Sequence, residues 1–421
     1  MSAFLSATQI VQEISFKSTD VIISVGEKLS CLFMTALLKD RGVPAQYINL
    51  YNVVPDGTSG VLDQGFYDML AREIGKRVRA VEGAVPVVTG FFGSVPGGLL
   101  NQIGRGYTDL CAALVAIGVG AEELQVWKEI NGIFTADPRK VPTAKLLSSI
   151  TPAEAAELTF YGSEVINPFT MEQVIRAHVP IRIKNVMNPG GSGTVIFPDS
   201  TSEIQFIKPG HDPKLFRARS SSSMSKMARS SASKPRRPTA VTVKKQIIVM
   251  NVHSNKRSLL HGFFARIFSI LDRYGLSVDL ISTSEAHVSM AIHSESAMLA
   301  NRSATSSARS SPSSPPSHGS DHGRGNMKIV DKDLEGAIQE LQEYGTIDIS
   351  PRMAILSLVG AEMKHMVGVA GRMFTVLGEN NVNIEMISQG ASEINISCVI
   401  EERDADRAMS ILHTNMFTHL D

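Results

Sequence analysis

A glycine-rich turn between an apolar strand and an apolar helix constrains the fold of this sequence more than any other feature. Residues 89–109 read TGFFGSVPGGLLNQIGRGYTD, directly after an apolar stretch and before a helix predicted at 109–117. Glycines let backbone N–H groups approach the oxygens of a ligand, and a helix start carries partial positive charge. Arg105 adds a planar cation suited to carboxylate or phosphate, and Asp109 a carboxylate that could hold Mg²⁺. The turn therefore predicts an anion-binding site.

Strands and helices alternate through the N-terminal half of the sequence. The predicted strands are at 20–25, 45–50, 85–89, 124–130 and 181–185. The predicted helices are at 26–38, 65–81, 109–117, from 151 onward and at 168–177. The run DVIISV at 20–25 is rich in β-branched residues, which is typical of a strand buried on both faces. This alternation predicts a mostly parallel sheet covered by helices, with ligands at the carboxyl ends of strands, where Gly26, Gly90 and Asn131 fall.

Composition excludes several classes of protein. The 421 residues allow two or three domains, and the 41 basic and 41 acidic residues balance, so we expect no nucleic-acid or membrane partner. Cys31, Cys111 and Cys398 are far apart in apolar surroundings, which predicts buried thiols in a reducing compartment. No run approaches the roughly 18–20 apolar residues of a membrane span, and the N-terminus lacks the basic start of a signal peptide. We therefore expect a cytoplasmic α/β protein.

Two segments differ from the rest in composition. Residues 209–245 are basic and rich in serine, which predicts a disordered linker; a nuclear signal, a phosphorylation target or an anionic-surface tether is the alternative. Residues 297–326 are rich in serine, proline and histidine. His318 and His322 lie in this second segment without partner cysteines, so we do not predict a metal site there.

An internal repeat follows the linker. Residues 262–284 and 368–390 run parallel at a constant offset, which aligns Gly262 with Gly368 and Phe268 with Phe374. Each copy predicts a strand, an amphipathic helix and a second strand. One copy is too small to bury both faces of its sheet, so the two copies should pack together or dimerise.

Four ordered motifs and the repeat together resemble aspartate kinase (aspartokinase), and the fungal monofunctional form most closely. The motifs are GEKLS at 26–30, the turn at 90–109, NGIFTADPR at 131–139 and FYGSEVINP at 160–168. The repeat resembles the family's paired ACT regulatory domains, with SVDLISTSE at 277–285. The resemblance implies an amino-acid-kinase-type three-layer αβα sandwich with a mostly parallel sheet, followed by tandem ferredoxin-like ACT domains. The implied domains are a partial catalytic domain at 1–208, the linker at 209–245, and ACT domains at 246–350 (with the insertion 297–326) and 351–421.

The resemblance also implies an activity, the MgATP-dependent phosphorylation of the L-aspartate β-carboxylate to 4-phospho-L-aspartate, the first step toward threonine and methionine. A carboxylate is already nucleophilic, so catalysis needs positioning and charge neutralisation more than a base. By resemblance, Arg105 binds the substrate α-carboxylate and Glu27 its ammonium group, while Thr108 and Asp109 lie near the transferred phosphoryl group and Mg²⁺. The simpler interpretations are that Glu27 only charges a helix N-terminus and that Arg105 is a surface ion-pair partner.

Nucleotide and effector sites are implied in the same way. The nucleotide residues would be Glu129, Phe134, Asp137 and Arg139, with Phe134 flat against adenine; the simpler interpretation is that Phe134 is ordinary core. An amino-acid effector, with threonine expected, would bind six residues of the ACT pair, namely Asp279, Ser284, Glu285, Asn383, Ile384 and Gln389. The ACT domains further imply a homo-oligomer.

The sequence departs from the family at several points. The family begins with a strand and a Lys-Phe-Gly-Gly-Thr-Ser motif, whose lysine reaches the transferred phosphate, and this motif does not occur here. We expect a weaker phosphate clamp, an unpaired sheet edge and an exposed apolar face. Tyr107 stands where glycine is usual, Glu164 where bacterial members have lysine, and Asn167 where histidine is common.

Two alternatives to an active aspartate kinase remain open at this point. One is a catalytically weak or inactive paralogue whose ACT pair binds an amino acid or modulates a full-length kinase. The other is a different amino-acid kinase, such as a glutamate 5-kinase or a uridylate kinase, although these lack the tandem ACT tail. The product of an active enzyme could serve general amino-acid synthesis or a secondary-metabolite route.

Overall fold

The computed structural model describes residues 15–55, 62–104, 106–160, 166–197, 237–254, 262–284, 287–293, 332–361, 363–390 and 394–418. Arg105 and Glu285 lie outside these residues, as do Glu164, the insertion 297–326 and the predicted linker up to residue 236. The chain divides into two compact units. The first comprises Met1–Ile133 and Leu146–Ser233, and the second Phe134–Lys145 and Lys234–Asp421.

The first unit is an α/β structure, as predicted. Its elements are α1 (Phe16–Asp40), β1 (Ala45–Ile48), α2 (Gln64–Arg79), β2 (Val85–Val88), α3 (Leu99–Gln102), α4 (Tyr107–Val119), β3 (Leu124–Lys128), β4 (Ser149–Ile150), α5 (Pro152–Phe160), α6 (Pro168–Arg176), β5 (Ile181–Asn185) and β6 (Thr194–Ile196). Strands β1 and β2 pair in parallel, and the other four form a sheet in the order β3-β5-β6-β4. Only the β5–β6 pairing in these two sheets is antiparallel, so the predicted mostly parallel arrangement is confirmed.

The prediction of a strand at 20–25 and a helix start at Gly26 is wrong, because both lie inside the 25-residue helix α1. The Ser15 side chain caps this helix by accepting a hydrogen bond from Ser18 N at 3.2 Å. Strand propensity depends on context, and β-branched residues reduce helix stability only by tenths of a kcal/mol each. A contact distant in sequence fixes the helix: the Asp20 carboxylate, almost fully buried, accepts a hydrogen bond from Leu99 N at 2.9 Å.

Helix α1 also corrects the prediction that no run approaches a membrane span. By length and composition alone, Ser18–Asp40 could cross a membrane, with a mean hydropathy of 1.8. Leu29 and Phe33 on this helix are exposed, at 61% and 70%. The Cys31 thiol nevertheless donates a hydrogen bond to Val88 O at 3.2 Å, so one face of α1 packs on β2. One such helix is weak evidence for a membrane span.

The core of the first unit forms where α2 packs on α4. Leu70, Ile74 and Leu110 are fully buried between them. The two backbones touch at Gly118, where an added Cβ would clash with the Ala71 carbonyl. This close approach fixes the position of α4, whose first turn carries the predicted phosphoryl-site residues.

The second unit is built on one antiparallel sheet. Its elements are β7 (Ala240–Ser254), α7 (Phe263–Arg273), β8 (Val278–Thr283), β9 (His287–His293), α8 (Lys332–Leu341), β10 (Gly345–Val359), α9 (Val369–Glu379), β11 (Met386–Ser388), β12 (Asn395–Glu401) and α10 (Ala405–His413). The strand order is β11-β12-β10-β7-β9-β8. The copies β7-α7-β8 and β10-α9-β11 have the strand, helix and strand that the repeat predicts.

The two copies share their long strands. Strand β10 crosses the predicted domain boundary at 350/351, and β7 begins inside the predicted linker 209–245. Ala240 pairs with Val359, so the first residues of β7 extend the half of the sheet that contains β12. The register breaks near Gln246 and Arg352, which have φ of 64° and 57° and are equivalent by the repeat offset. The copies are therefore fused through β7 and β10.

Candidate functional site

Three parts of the predicted active site meet at Gly90, which follows β2. A Cβ added at Gly90 would lie 2.8 Å from Glu27 Oε2 and 2.8 Å from Thr108 Cγ2. Both distances are shorter than real Cβ contacts, so a larger residue at this position would displace the Glu27 carboxylate and the Thr108 side chain. Glu27 lies in the middle of α1, which excludes the simpler interpretation that it charges a helix N-terminus.

Tyr107, which the sequence marked as a departure, contacts Glu27. Its hydroxyl donates a hydrogen bond to Glu27 Oε1 at 3.3 Å, and the tyrosine is only 7% exposed. Burial and, next, the Glu27 carboxylate raise the pKa of Tyr107 to about 12, because both disfavour a phenolate. The phenol is therefore a neutral donor at physiological pH.

Asp109, in the first turn of α4, forms an ion pair that the sequence analysis missed. Lys128 Nζ lies 3.5 Å from Asp109 Oδ2, and the two side chains are 34% and 29% exposed. Lys128 ends β3, at the carboxyl edge where a ligand is expected. The available signal was its place beside the NGIFTADPR motif, which begins three residues later.

The Asn167 departure has a structural role. Its Oδ1 accepts hydrogen bonds from Phe169 N at 2.9 Å and Thr170 N at 3.4 Å, so it caps α6. A Cβ added at Gly106 would lie 3.0 Å from Asn167 Cβ. The α6 cap therefore packs against the turn that starts α4.

The predicted nucleotide residues are divided between the units. Glu129 is exposed after β3 in the first unit, whereas Phe134, Asp137 and Arg139 belong to the second. Phe134 is half-buried. The guanidinium of Arg139 donates to both Asp137 carboxylate oxygens at 3.0 Å, which lowers the pKa of Asp137. These two residues are brought together, and the pair is open to solvent because Arg139 is exposed.

The segment 134–145 is anchored in the second unit by a buried histidine. His413 Nε2 lies 2.8 Å from Thr135 Oγ1, and His413 Nδ1 lies 3.3 Å from Thr143 Oγ1. Val241 N donates to Thr135 O at 2.9 Å, which attaches the segment to β7. Ala136 and Val141 are buried in the core that also contains α9 and α10. The sequence carried no sign of this anchor.

Five of the six predicted effector residues are described, and they flank or lie on the edge strands β8 and β11, which approach each other. Ser284, Asn383 and Gln389 are exposed, and Ile384 is half-buried. The Asp279 side chain is only 3% exposed, and Lys244 Nζ lies 2.8 Å from each of its carboxylate oxygens. The charge of Asp279 is thus already balanced within the chain.

Comparison with known proteins identifies the family. Residues 5–185 match the amino acid kinase family, and residues 356–416 match an ACT domain. The aspartokinase of Candida albicans is 51% identical over 422 residues, which cover 98% of this chain and 70% of that protein. The chain belongs to the aspartokinase family. The aspartokinase of Saccharomyces cerevisiae is also 51% identical, over 99% of this chain and 72% of its own length.

Solved aspartokinases support the same conclusion. E. coli aspartokinase III in complex with aspartate and ADP (R-state) matches with a TM-score of 0.68 and 25% identity, covering 99% of this chain and 80% of that one. The same enzyme with lysine and aspartate (T-state) matches with a TM-score of 0.67 and 26% identity, covering 96% and 76%. The predicted aspartokinase fold and the assignment to a phosphotransferase family are confirmed, over a regulatory paralogue or a different amino-acid kinase.

Proposed function

We propose that this protein transfers the γ-phosphoryl group of ATP to the β-carboxylate of L-aspartate, giving 4-phospho-L-aspartate and ADP. A carboxylate oxygen attacks the γ-phosphorus while the bond to the ADP oxygen breaks. The convergence of Glu27, Gly90 and Thr108 supports this proposal most directly. The E. coli aspartokinase that matches this chain is bound to aspartate and ADP.

On the substrate side of the site, the proposed binding group is the half-buried carboxylate of Glu27. Glu27 Oε2 faces the turn at Gly90, where it is placed to accept hydrogen bonds from the substrate ammonium. Thr108 lies beside the same turn, in the first turn of α4, where free N–H groups favour negative charge. Arg105, between these elements in sequence, remains the predicted partner of the substrate α-carboxylate.

The nucleotide would bind Glu129, Phe134, Asp137 and Arg139, and Mg²⁺ would arrive with its phosphates. Among the described residues no group of three or more His, Cys, Asp or Glu side chains could hold a metal by itself. A single carboxylate such as Asp109 fits a Mg²⁺ ion that takes most of its ligands from phosphates and water. Such an ion neutralises phosphoryl charge. Lys128, next to Asp109, would supply a further positive charge.

For regulation, we propose that an amino-acid effector, threonine first among candidates, binds the second copy of the repeat. In the first copy, the equivalent effector position is occupied by the buried ion pair between Lys244 and Asp279. By the repeat offset, Ser350 and Glu385 stand at the equivalent positions in the second copy. They line a cavity of about 650 Å³, whose other polar lining residues include Asn383, Arg352, Arg403, Glu401 and Glu402. Arg352 and Glu385 suit the carboxylate and the ammonium of an amino acid, whereas Arg403 already pairs with Glu401 at 2.6 Å.

Assembly and location follow as further parts of the proposal. Ile281 and Ile387, at equivalent repeat positions on the edge strands, are 37% and 48% exposed, which supports a homo-oligomer formed through the ACT pair. We also propose a cytoplasmic location, because the balanced charge and free thiols suit a reducing compartment.

Replacing Glu27 tests the substrate assignment. Glu27→Gln keeps the shape but removes the charge, so we expect L-aspartate affinity to fall about 10- to 100-fold, equivalent to about 1.5–3 kcal/mol. Isothermal titration of the full chain with L-aspartate and, separately, with ADP measures both affinities. Glu73→Gln is the matched control, since the Glu73 side chain on α2 is 42% exposed and pairs with Lys76. Unchanged aspartate binding in Glu27→Gln would contradict the assignment.

A further inference from the structure

We propose that Tyr107 is a positioning residue that holds the Glu27 carboxylate in place for the substrate ammonium. The inference rests on the proposed function, because it assigns Glu27 to that ammonium. The tyrosine hydroxyl donates to Oε1 at 3.3 Å, while Oε2 lies on the side of Gly90. One carboxylate oxygen is thus held by the protein, and the other is left for the ligand.

The donor itself is rigid. Tyr107 is the first residue of α4, and its ring packs edge-on against Phe91, with centroids 6.5 Å apart and planes at 88°. Phe91 is 2% exposed and Tyr107 is 7% exposed, so the phenol has little freedom to move. The flexible partner is Glu27, a long side chain on α1 that is only half-buried. A fixed donor therefore restricts a mobile carboxylate, which reduces the entropy lost when substrate binds.

The chemistry of the donor also suits this role. A lysine or arginine in its place would orient Glu27 but would compete with the substrate ammonium for its charge. A protonated phenol donates one hydrogen bond and leaves the full negative charge on the Glu27 carboxylate. Among the described residues, Asp20 and the Cys31 and Cys111 thiols also lie near this pair, and none of these three is a cation. Burial raises the pKa of both thiols, which keeps them neutral.

This contact gives Tyr107 a function that glycine cannot perform. Glycine, which the resemblance makes usual at this position, would leave Glu27 Oε1 without this donor. The sequence alone marked Tyr107 only as a departure from the family. The structure instead assigns it to the substrate side of the site.

Tyr107→Phe tests the inference, since it removes the hydroxyl and keeps the ring. We expect the Kd for L-aspartate to rise about 5- to 30-fold on the scale of a hydrogen bond to a charged group, with the Kd for ADP unchanged. Tyr67→Phe is the matched control: Tyr67 is 5% exposed in the same unit and packs against Phe66 and Phe169. It should bind both ligands normally.

A double-mutant cycle separates positioning from a merely structural role. If Tyr107 acts through Glu27, Tyr107→Phe should have little further effect on aspartate affinity in the Glu27→Gln background. Full and additive losses in the double variant would overturn the inference, and so would normal aspartate binding by Tyr107→Phe. In both cases Glu27→Gln alone still reports on the proposed function. A wild-type chain that does not bind aspartate would overturn the proposed function and, with it, the inference.

Discussion

Replacing His413 by glutamine should destabilise the second unit and remove part of its sensitivity to acid. The imidazole is 1% exposed and bridges the hydroxyls of Thr135 and Thr143, which lie in the segment 134–145. It also stacks on Phe417, with ring centroids 5.0 Å apart and planes at 10°. The two hydrogen bonds join α10 to the segment that contains three of the four predicted nucleotide residues.

The size of the effect follows from these contacts. Two hydrogen bonds contribute about 0.5–1.5 kcal/mol each, so we expect a loss of about 2 kcal/mol near pH 7.5. Part of the network survives, because Thr135 Oγ1 still accepts from Lys145 N at 2.9 Å. For a unit of this size, about 2 kcal/mol corresponds to a fall of about 4–8 °C in Tm.

The pH dependence has a definite sign. Burial and, next, the charge of Lys145 lower the pKa of His413 below its ordinary value of 6.5. As pH falls through 6.5 the unfolded chain binds a proton that the folded chain does not, so folding stability decreases. The slope is at most about 1.4 kcal/mol per pH unit until the folded-state pKa is reached. Glutamine does not titrate, so the variant should lose less stability than the wild type below pH 6.5.

Urea unfolding of the full chain between pH 7.5 and 5.5 measures both effects. Circular dichroism reports on both units, whereas fluorescence of Trp127, the single tryptophan, reports on the first unit and serves as an internal reference. His365→Gln is the control, because His365 is exposed. If the stability of His413→Gln declined with acid in parallel with the wild type, a buried neutral imidazole would not be the cause, and the argument would fail.

Two ion pairs, Lys128–Asp109 and Lys244–Asp279, give further predictions. Lys128→Met should lower the rate of aspartate-dependent ADP formation at least 10-fold if Lys128 neutralises phosphoryl charge, on the scale of one lost charge-stabilising donor; a rate within twofold of wild type would refute this. Lys244→Met leaves the buried Asp279 carboxylate without this cation and should cost about 3–5 kcal/mol by thermal unfolding, whereas Lys244→Met combined with Asp279→Asn should restore much of the stability. Equal stability of the single variant and the wild type would contradict a buried ion pair.

Elements with strong local signals were predictable from the sequence. The helix predicted at 65–81 is Gln64–Arg79, and the strand predicted at 181–185 is Ile181–Asn185. The repeat also gave both amphipathic helices of the second unit. The error at 20–25 arose because β-branched composition does not separate a strand from a helix. The conformation of that segment is fixed by the hydrogen bond from Leu99 N, at the start of α3, to the Asp20 carboxylate. These two residues are distant in sequence.

The site was predictable only where a motif carried it. Glu27 and Thr108 were assigned by resemblance, and the structure brings both to Gly90. Lys128, Lys244 and His413 were missed, because their partners are far away in the chain and a single polar residue leaves no periodic pattern. Arg105 remains a prediction from the motif alone.

The division of the chain changes how the predicted nucleotide residues are understood. From the sequence, Phe134, Asp137 and Arg139 were assigned to a catalytic motif. The segment 134–145 nevertheless belongs to the second unit, where Thr135 and Val141 hold it in the ACT core. If these residues bind the nucleotide, an effector that favours a conformation of the second unit with a different nucleotide affinity also changes nucleotide binding. By linkage, the nucleotide must then change effector affinity by the same factor. Ala136 and Val141 of the segment already lie in the core that contains α9 and α10, so this coupling requires no separate relay of residues.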